Sequence, residues 1–95
     1  MATPEAKIKA QVRRILADSD AYFFMPPGSG YGRAGIPDVV GCVRGKFLAI
    51  ECKAGKGKTT ALQDRELHSI HAHGGTAVII NEANINTLKE LIDGL

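Results

Sequence analysis

Apolar residues along this chain recur with two periods, and the switches between them mark out the elements. Ile8, Val12, Ile15 and Leu16 fall on one side of a helix. Thr3-Pro4-Glu5 opens it, with a capping hydroxyl, a proline in the first turn and an acid at the positive end of the dipole. The pattern predicts an end near Asp18. Residues 21–25 then read as a short aromatic strand, stopped by Pro26-Pro27 because proline cannot donate to a ladder. A glycine-rich loop over 28–35 leads into two apolar runs, 37–43 and 46–52, separated by Arg44-Gly45. These predict a hairpin. A basic loop over 54–58 precedes a second helix, in which Thr60 and Gln63 have capping-box spacing. Leu62, Leu67 and Ile70 supply its apolar side, and Gly74-Gly75 closes it. Residues 76–80 form another strand, and Leu88, Leu91, Ile92 and Leu95 mark a final amphipathic helix. The predicted order is helix, three strands, helix, strand, helix.

The hairpin concentrates the chemistry. With Arg44-Gly45 as a two-residue turn, Val43 faces Lys46, and the same register carried back sets Asp38 opposite Glu51. Directly opposed residues share a face, with Cβ atoms roughly 4.5–5.5 Å apart. Lys53, two residues beyond Glu51, points the same way. Like charges set opposite each other destabilise a sheet unless they share a proton or hold a cation. The flanks Val39-Val40 and Leu48-Ala49-Ile50 are apolar on both faces, which implies central strands and a buried charge cluster. The plainer alternative is two solvated acids at a sheet edge. Arg-Gly is not a preferred pair for a primed turn, so a bulge that shifts the pairing is the competing register. The expected register sends Cys42 and Cys52 to opposite faces, which argues against a disulfide between them.

Composition adds limits. The 95 residues are 44% hydrophobic and 23% charged, ordinary for one soluble domain spanning 1–95. A core this small gains from oligomerisation. The net charge of +2 permits a nucleic-acid partner without demanding one. Two cysteines make no disulfide framework, the N-terminus has no signal-peptide apolar core, and no apolar run is long enough to span a membrane. The expectation is an intracellular protein that is not secreted.

Pro37-Asp38, a spacer and Glu51-Cys52-Lys53 resemble the PD-(D/E)XK nuclease superfamily, and within it the virus-type replication-repair nuclease (VRR-NUC) domain of stand-alone viral type. Glu5 in the opening helix, the glycine-rich approach to Gly35-Ile36-Pro37-Asp38, and Gln63 one turn into the next helix extend the resemblance over nearly the whole chain. It implies an α/β fold, a restriction-endonuclease-like mixed β-sheet flanked by helices in the order αβββαβ plus a C-terminal helix. It also implies a metal-dependent, structure-selective DNA endonuclease acting on branched DNA such as Holliday junctions, probing a two-fold substrate as a homodimer. Trimming of flaps or ends, and a noncatalytic DNA-binding module, are the alternatives.

Carried over by residue, Asp38 and Glu51 would bind the metal together with the Cys52 backbone carbonyl. Glu5 would complete the acidic cluster directly or through water. Lys53 would contact the attacking water or the scissile phosphate, and Gln63 would orient the site or touch DNA. Oxygen-only ligands favour magnesium, with manganese as substitute. The host cytoplasm is the expected compartment for a viral member, and no separate DNA-recognition domain is expected.

Other motifs give less. Gly30 to Gly35 satisfies G-x-G-x-x-G, but a proline and a strand follow where a helix should begin, which excludes a dinucleotide site. The loop instead offers Ser29, Tyr31 and Arg33 to phosphate or sugar. Gly57-Lys58-Thr59 lacks the upstream glycine of a P-loop, because Cys52 stands there, so no nucleotide cofactor is expected. Lys56 and Lys58 are read as grips on the DNA backbone. His68, His71 and His73 have no partner ligand and are read as solvent-facing or as dimer contacts.

Overall fold

The computed structural model describes residues 2–27 and 32–95. Helix α1, Pro4–Asp18, starts where the Thr3 hydroxyl accepts from the Ala6 N–H, and buries Ile8, Val12 and Leu16. Strand β1 is Tyr22–Phe24, β2 is Val39–Val43 and β3 is Lys46–Cys52. Helix α2, Ala61–Ala72, carries the reciprocal Thr60–Gln63 capping box. Strand β4, Thr76–Ile80, leads through a 3-10 turn at Ile85–Thr87 into α3, Leu88–Asp93. The predicted element order is observed, with the 3-10 turn as an addition.

The sheet runs β1-β2-β3-β4. β1–β2 and β2–β3 are antiparallel and β3–β4 is parallel, so the sheet is mixed and β2 and β3 are central. Val43 pairs with Lys46 and Val39 with Ile50, the expected register without a bulge. The turn is primed after all, since Arg44 and Gly45 have φ of 48° and 81°. An arginine is held in this left-handed conformation by its own side chain. One guanidinium nitrogen donates to the carbonyls of Ile92, Asp93 and Leu95 at 2.6, 3.3 and 3.1 Å. The hairpin is thereby tied to the C-terminal end of α3, where carbonyls are left with spare accepting capacity.

Alternation along the strands decides what each helix covers. α1 and α3 close one face over a core of Val12, Leu16, Val39, Leu48, Ile50, Cys52, Leu88 and Ile92. α2 covers the other face over a smaller cluster of Ala49, Leu67 and Ala77, with Val40 and Ile70 half-buried beside it. Leu62, expected on the apolar side of α2, is 44% exposed; the buried positions of α2 are Leu67 and Glu66. Arg33 compensates it, with Nε 2.9 Å from Glu66 Oε1. Gly35 explains how the approach to β2 passes the start of α2. It has φ +87°, and a Cβ there would lie 2.5 Å from the Leu62 carbonyl oxygen. Only glycine allows that crossing, and Pro37-Asp38 follows at once. Cys42 and Cys52 are both free, one exposed and one buried, as the register implied.

Candidate active site

The site is built at the end of the hairpin farthest from its turn. Beyond Val39–Ile50 the register sets Asp38 opposite Glu51. Asp38 lies one residue before β2, so its side chain replaces a ladder bond: Oδ2 accepts from the Cys52 N–H at 2.8 Å. That bond fixes the carboxylate against β3. Glu51 is 2% exposed and its Oε2 has no hydrogen-bond partner among the described residues. Burial first, then hydrogen bonding and charge from Asp38, push its carboxyl up to about 8, with Glu5 adding to the rise and Lys53 opposing it. The Cys52 thiol, fully buried beside the same acids, is pushed up to about 12, chiefly by burial. It stays a neutral thiol.

Lys53 sits at the end of the parallel β3–β4 pairing, its backbone N–H donating to the Ile80 carbonyl at 3.0 Å. Two residues beyond Glu51, just past the end of β3, it follows the same alternation toward the face of the acids. Glu5, in the first turn of α1, is joined to Asp38 through a residue the sequence reading missed. Lys9 Nζ lies 3.6 Å from Asp38 Oδ1 and 3.9 Å from Glu5 Oε2. The signal available was the i,i+4 spacing of Glu5 and Lys9 on the helix face that packs toward the acids.

Gln63 has a structural occupation, since its side-chain oxygen accepts from the Thr60 N–H at 2.9 Å and caps α2. Arg33 is engaged by Glu66 and remains largely exposed on the same α2 side. Lys56 and Lys58 are exposed on the loop after Lys53, which is pinned where the Gly55 N–H donates to both Glu82 oxygens at 2.9 and 3.0 Å. Ser29 and Tyr31 lie outside the described residues. His68, His71 and His73 are exposed; His71 and His73 bond to the carbonyls of Ala77 and Ser69.

A divalent cation fits this donor set in one specific respect: the orphaned buried oxygen of Glu51 faces a second carboxylate, and a cation is what would satisfy both. Among the described residues no three His, Cys, Asp or Glu side chains converge into a complete ligand set. The protein side chains gathered at this point are the Asp38–Glu51 pair.

Comparison with known proteins decides the family. The profile of the archaeal Holliday junction resolvase (Hjc) family matches residues 7–81. This chain belongs to that family. The nuclease is also 32% identical over 90 residues to "Putative nuclease p44" of Acyrthosiphon pisum secondary endosymbiont phage 1, covering 94% of this chain and 90% of the relative. Two solved structures share its fold. One is a VRR-NUC domain with a TM-score of 0.74 at 21% identity, covering 99% of this chain and 95% of the other. The second is a VRR-NUC domain protein with a TM-score of 0.70 at 20% identity, covering 99% and 88%. The VRR-NUC, PD-(D/E)XK-type character read from Pro37-Asp38 and Glu51-Cys52-Lys53 therefore holds, as does the α/β fold. No helix among the described residues is long and apolar enough to cross a membrane.

Proposed function

We propose that this nuclease is a divalent-metal-dependent endonuclease selective for branched DNA, acting as a homodimer. The observation that carries the metal dependence is the buried, unpartnered Glu51 oxygen beside Asp38. Asp38 and Glu51 would hold the cation, with the Cys52 carbonyl as a further ligand and Glu5 reaching it through water. When bound, that cation supplies Lewis-acid neutralisation of charge developing on the phosphate. Magnesium suits an all-oxygen set, with manganese as its substitute.

The chain's own residues do the rest. The Cys52 amide orients Asp38. Lys53, on the same face as Glu51, directs an attacking water or steadies the scissile phosphate. The amide nitrogen of Gln63, free of the cap its oxygen makes, is available to DNA at the start of α2. Exposed Lys56 and Lys58 of the adjoining loop, together with Arg33, Ser29 and Tyr31, are the proposed phosphate and sugar contacts by their chemistry.

Branched-DNA selectivity is supported by the family match and by a surface suited to a second copy. Tyr22, Phe24 and Phe47 are 70%, 51% and 48% exposed. Strand pairing puts them on one face of β1–β2–β3, next to α2. β1 is an edge strand, and an edge strand is self-complementary under a two-fold axis. Paired in this way, two active sites would face opposed strands of a four-way junction.

The test is cleavage of labelled linear, flapped and four-way-junction DNA with magnesium, with manganese and with chelator. Junction cutting that chelator stops is expected. Asp38→Asn and Glu51→Gln should lose cleavage and keep junction binding, and Lys53→Ala should cut at least a hundredfold more slowly. Undiminished cutting by Glu51→Gln overturns the site. Preference for flaps or free ends overturns the branched-DNA reading.

A further inference from the structure

Asp38 has two oxygens in different situations. Oδ2 is committed to the Cys52 amide at 2.8 Å. Oδ1 accepts from no backbone N–H among the described residues, and the ammonium of Lys9 stands 3.6 Å from it. The same ammonium is 3.9 Å from Glu5 Oε2, so it bridges Asp38 and Glu5. Lys9 is held there by helix geometry: Glu5 and Lys9 are one turn apart on α1, and the neighbouring Ile8 and Val12 are buried in the core. Its side chain is 32% exposed, so it is a long, partly solvated bridge on a rigid base rather than a tight buried pair. The oxygen it faces is the one Asp38 has left for a cation.

We propose that Lys9 is a built-in counter-ion of the nuclease centre, a positioning residue that holds Asp38 and Glu5 without metal and yields its place when a divalent cation enters. The inference rests on the metal-dependent reading above. Asp38 and Glu51 face each other at one end of the hairpin with Glu5 on the neighbouring helix, and an ammonium between Asp38 and Glu5 offsets the repulsion of like charges. Distances of 3.6 and 3.9 Å make the bridge loose enough to break. Metal entry is then an exchange of one cation for another. The lysine sets the affinity threshold: its positive charge must be pushed off Asp38 before that carboxylate can coordinate. A neutral side chain at position 9 removes this competition, whereas arginine preserves it.

Isothermal calorimetry with manganese and with magnesium, without DNA, tests the exchange on wild type, Lys9→Gln, Lys9→Arg and Glu51→Gln, alongside thermal unfolding in chelator. Lys9→Gln is expected to bind manganese more tightly, on the order of tenfold. Its metal-free midpoint should fall by about 2–4 °C, a deficit that saturating metal removes. Lys9→Arg should track wild type in both measurements. Unchanged or weaker metal binding by a folded Lys9→Gln overturns the counter-ion role while leaving the metal-dependent reading intact. Absence of metal binding by wild type overturns both. A lysine that only stabilised α1 would lower the midpoint equally with and without metal, which also refutes the exchange.

Discussion

At the residue scale Glu51 carries the sharpest conflict, a charge-bearing group 2% exposed and facing another acid. Its carboxyl is raised from 4.5 to about 8, so between those values the metal-free folded state keeps a proton that the unfolded chain gives up. Folding stability therefore falls as pH rises through that window, and levels off outside it. Urea titrations of metal-free protein at pH 5 and pH 8 should show a midpoint drop, which Glu51→Gln abolishes. A wild-type midpoint that holds steady or climbs over this range would contradict the assignment. Cys52 yields a second prediction: with its thiol pushed up to about 12 and its side chain fully buried, it should resist alkylation in the native state while exposed Cys42 reacts. Peptide mass mapping after brief iodoacetamide treatment reads this directly. Gly35→Ala forces a Cβ to 2.5 Å from a backbone oxygen at φ +87°, which should cost about 2 kcal/mol or more in denaturant unfolding.

At the scale of elements the hairpin is the unit that matters, because its register alone brings Asp38 to Glu51. That register was legible from two apolar runs and a two-residue gap. The turn chemistry was not, since nothing local predicts Arg44 at φ 48°. Its support is distant, in the carbonyls of Ile92, Asp93 and Leu95. Arg44→Asn keeps a residue that tolerates the left-handed turn but loses the tether, and should destabilise by about 1–2 kcal/mol. Arg44→Ala loses both and should cost more. Equal stability of all three chains in equilibrium unfolding would exclude the tether. The capping box of α2 was readable from Thr60 and Gln63 alone, because capping is decided within four residues. Leu62 was misjudged because helical period does not say which edge of an apolar stripe meets the sheet.

Over the whole molecule, the sheet separates two tasks. The face under α1 and α3 is a full apolar core, and the face beside α2 holds the acids at one end of the hairpin and exposed aromatics from Phe24, opposite Val40, to Phe47 near the turn. If those aromatics seat a second copy, Phe47→Glu combined with Tyr22→Glu should shift sedimentation from dimer to monomer. Manganese binding should persist in that variant, because Phe47 and Tyr22 flank Cys42, four residues along the hairpin from Asp38. Wild type that sediments as a monomer at tens of micromolar would remove the dimer from the proposal.

The sequence by itself determined the elements, the strand pairing and the juxtaposition of Asp38 with Glu51, because period, turn length and side-chain alternation are local. Tertiary structure alone decided that α1 delivers Lys9 to Asp38, that Arg33 neutralises Glu66, and that the last carbonyls of α3 hold the hairpin turn. Each of these joins residues far apart in the chain. Their meeting depends on how helices settle on a twisted sheet, which no local pattern encodes.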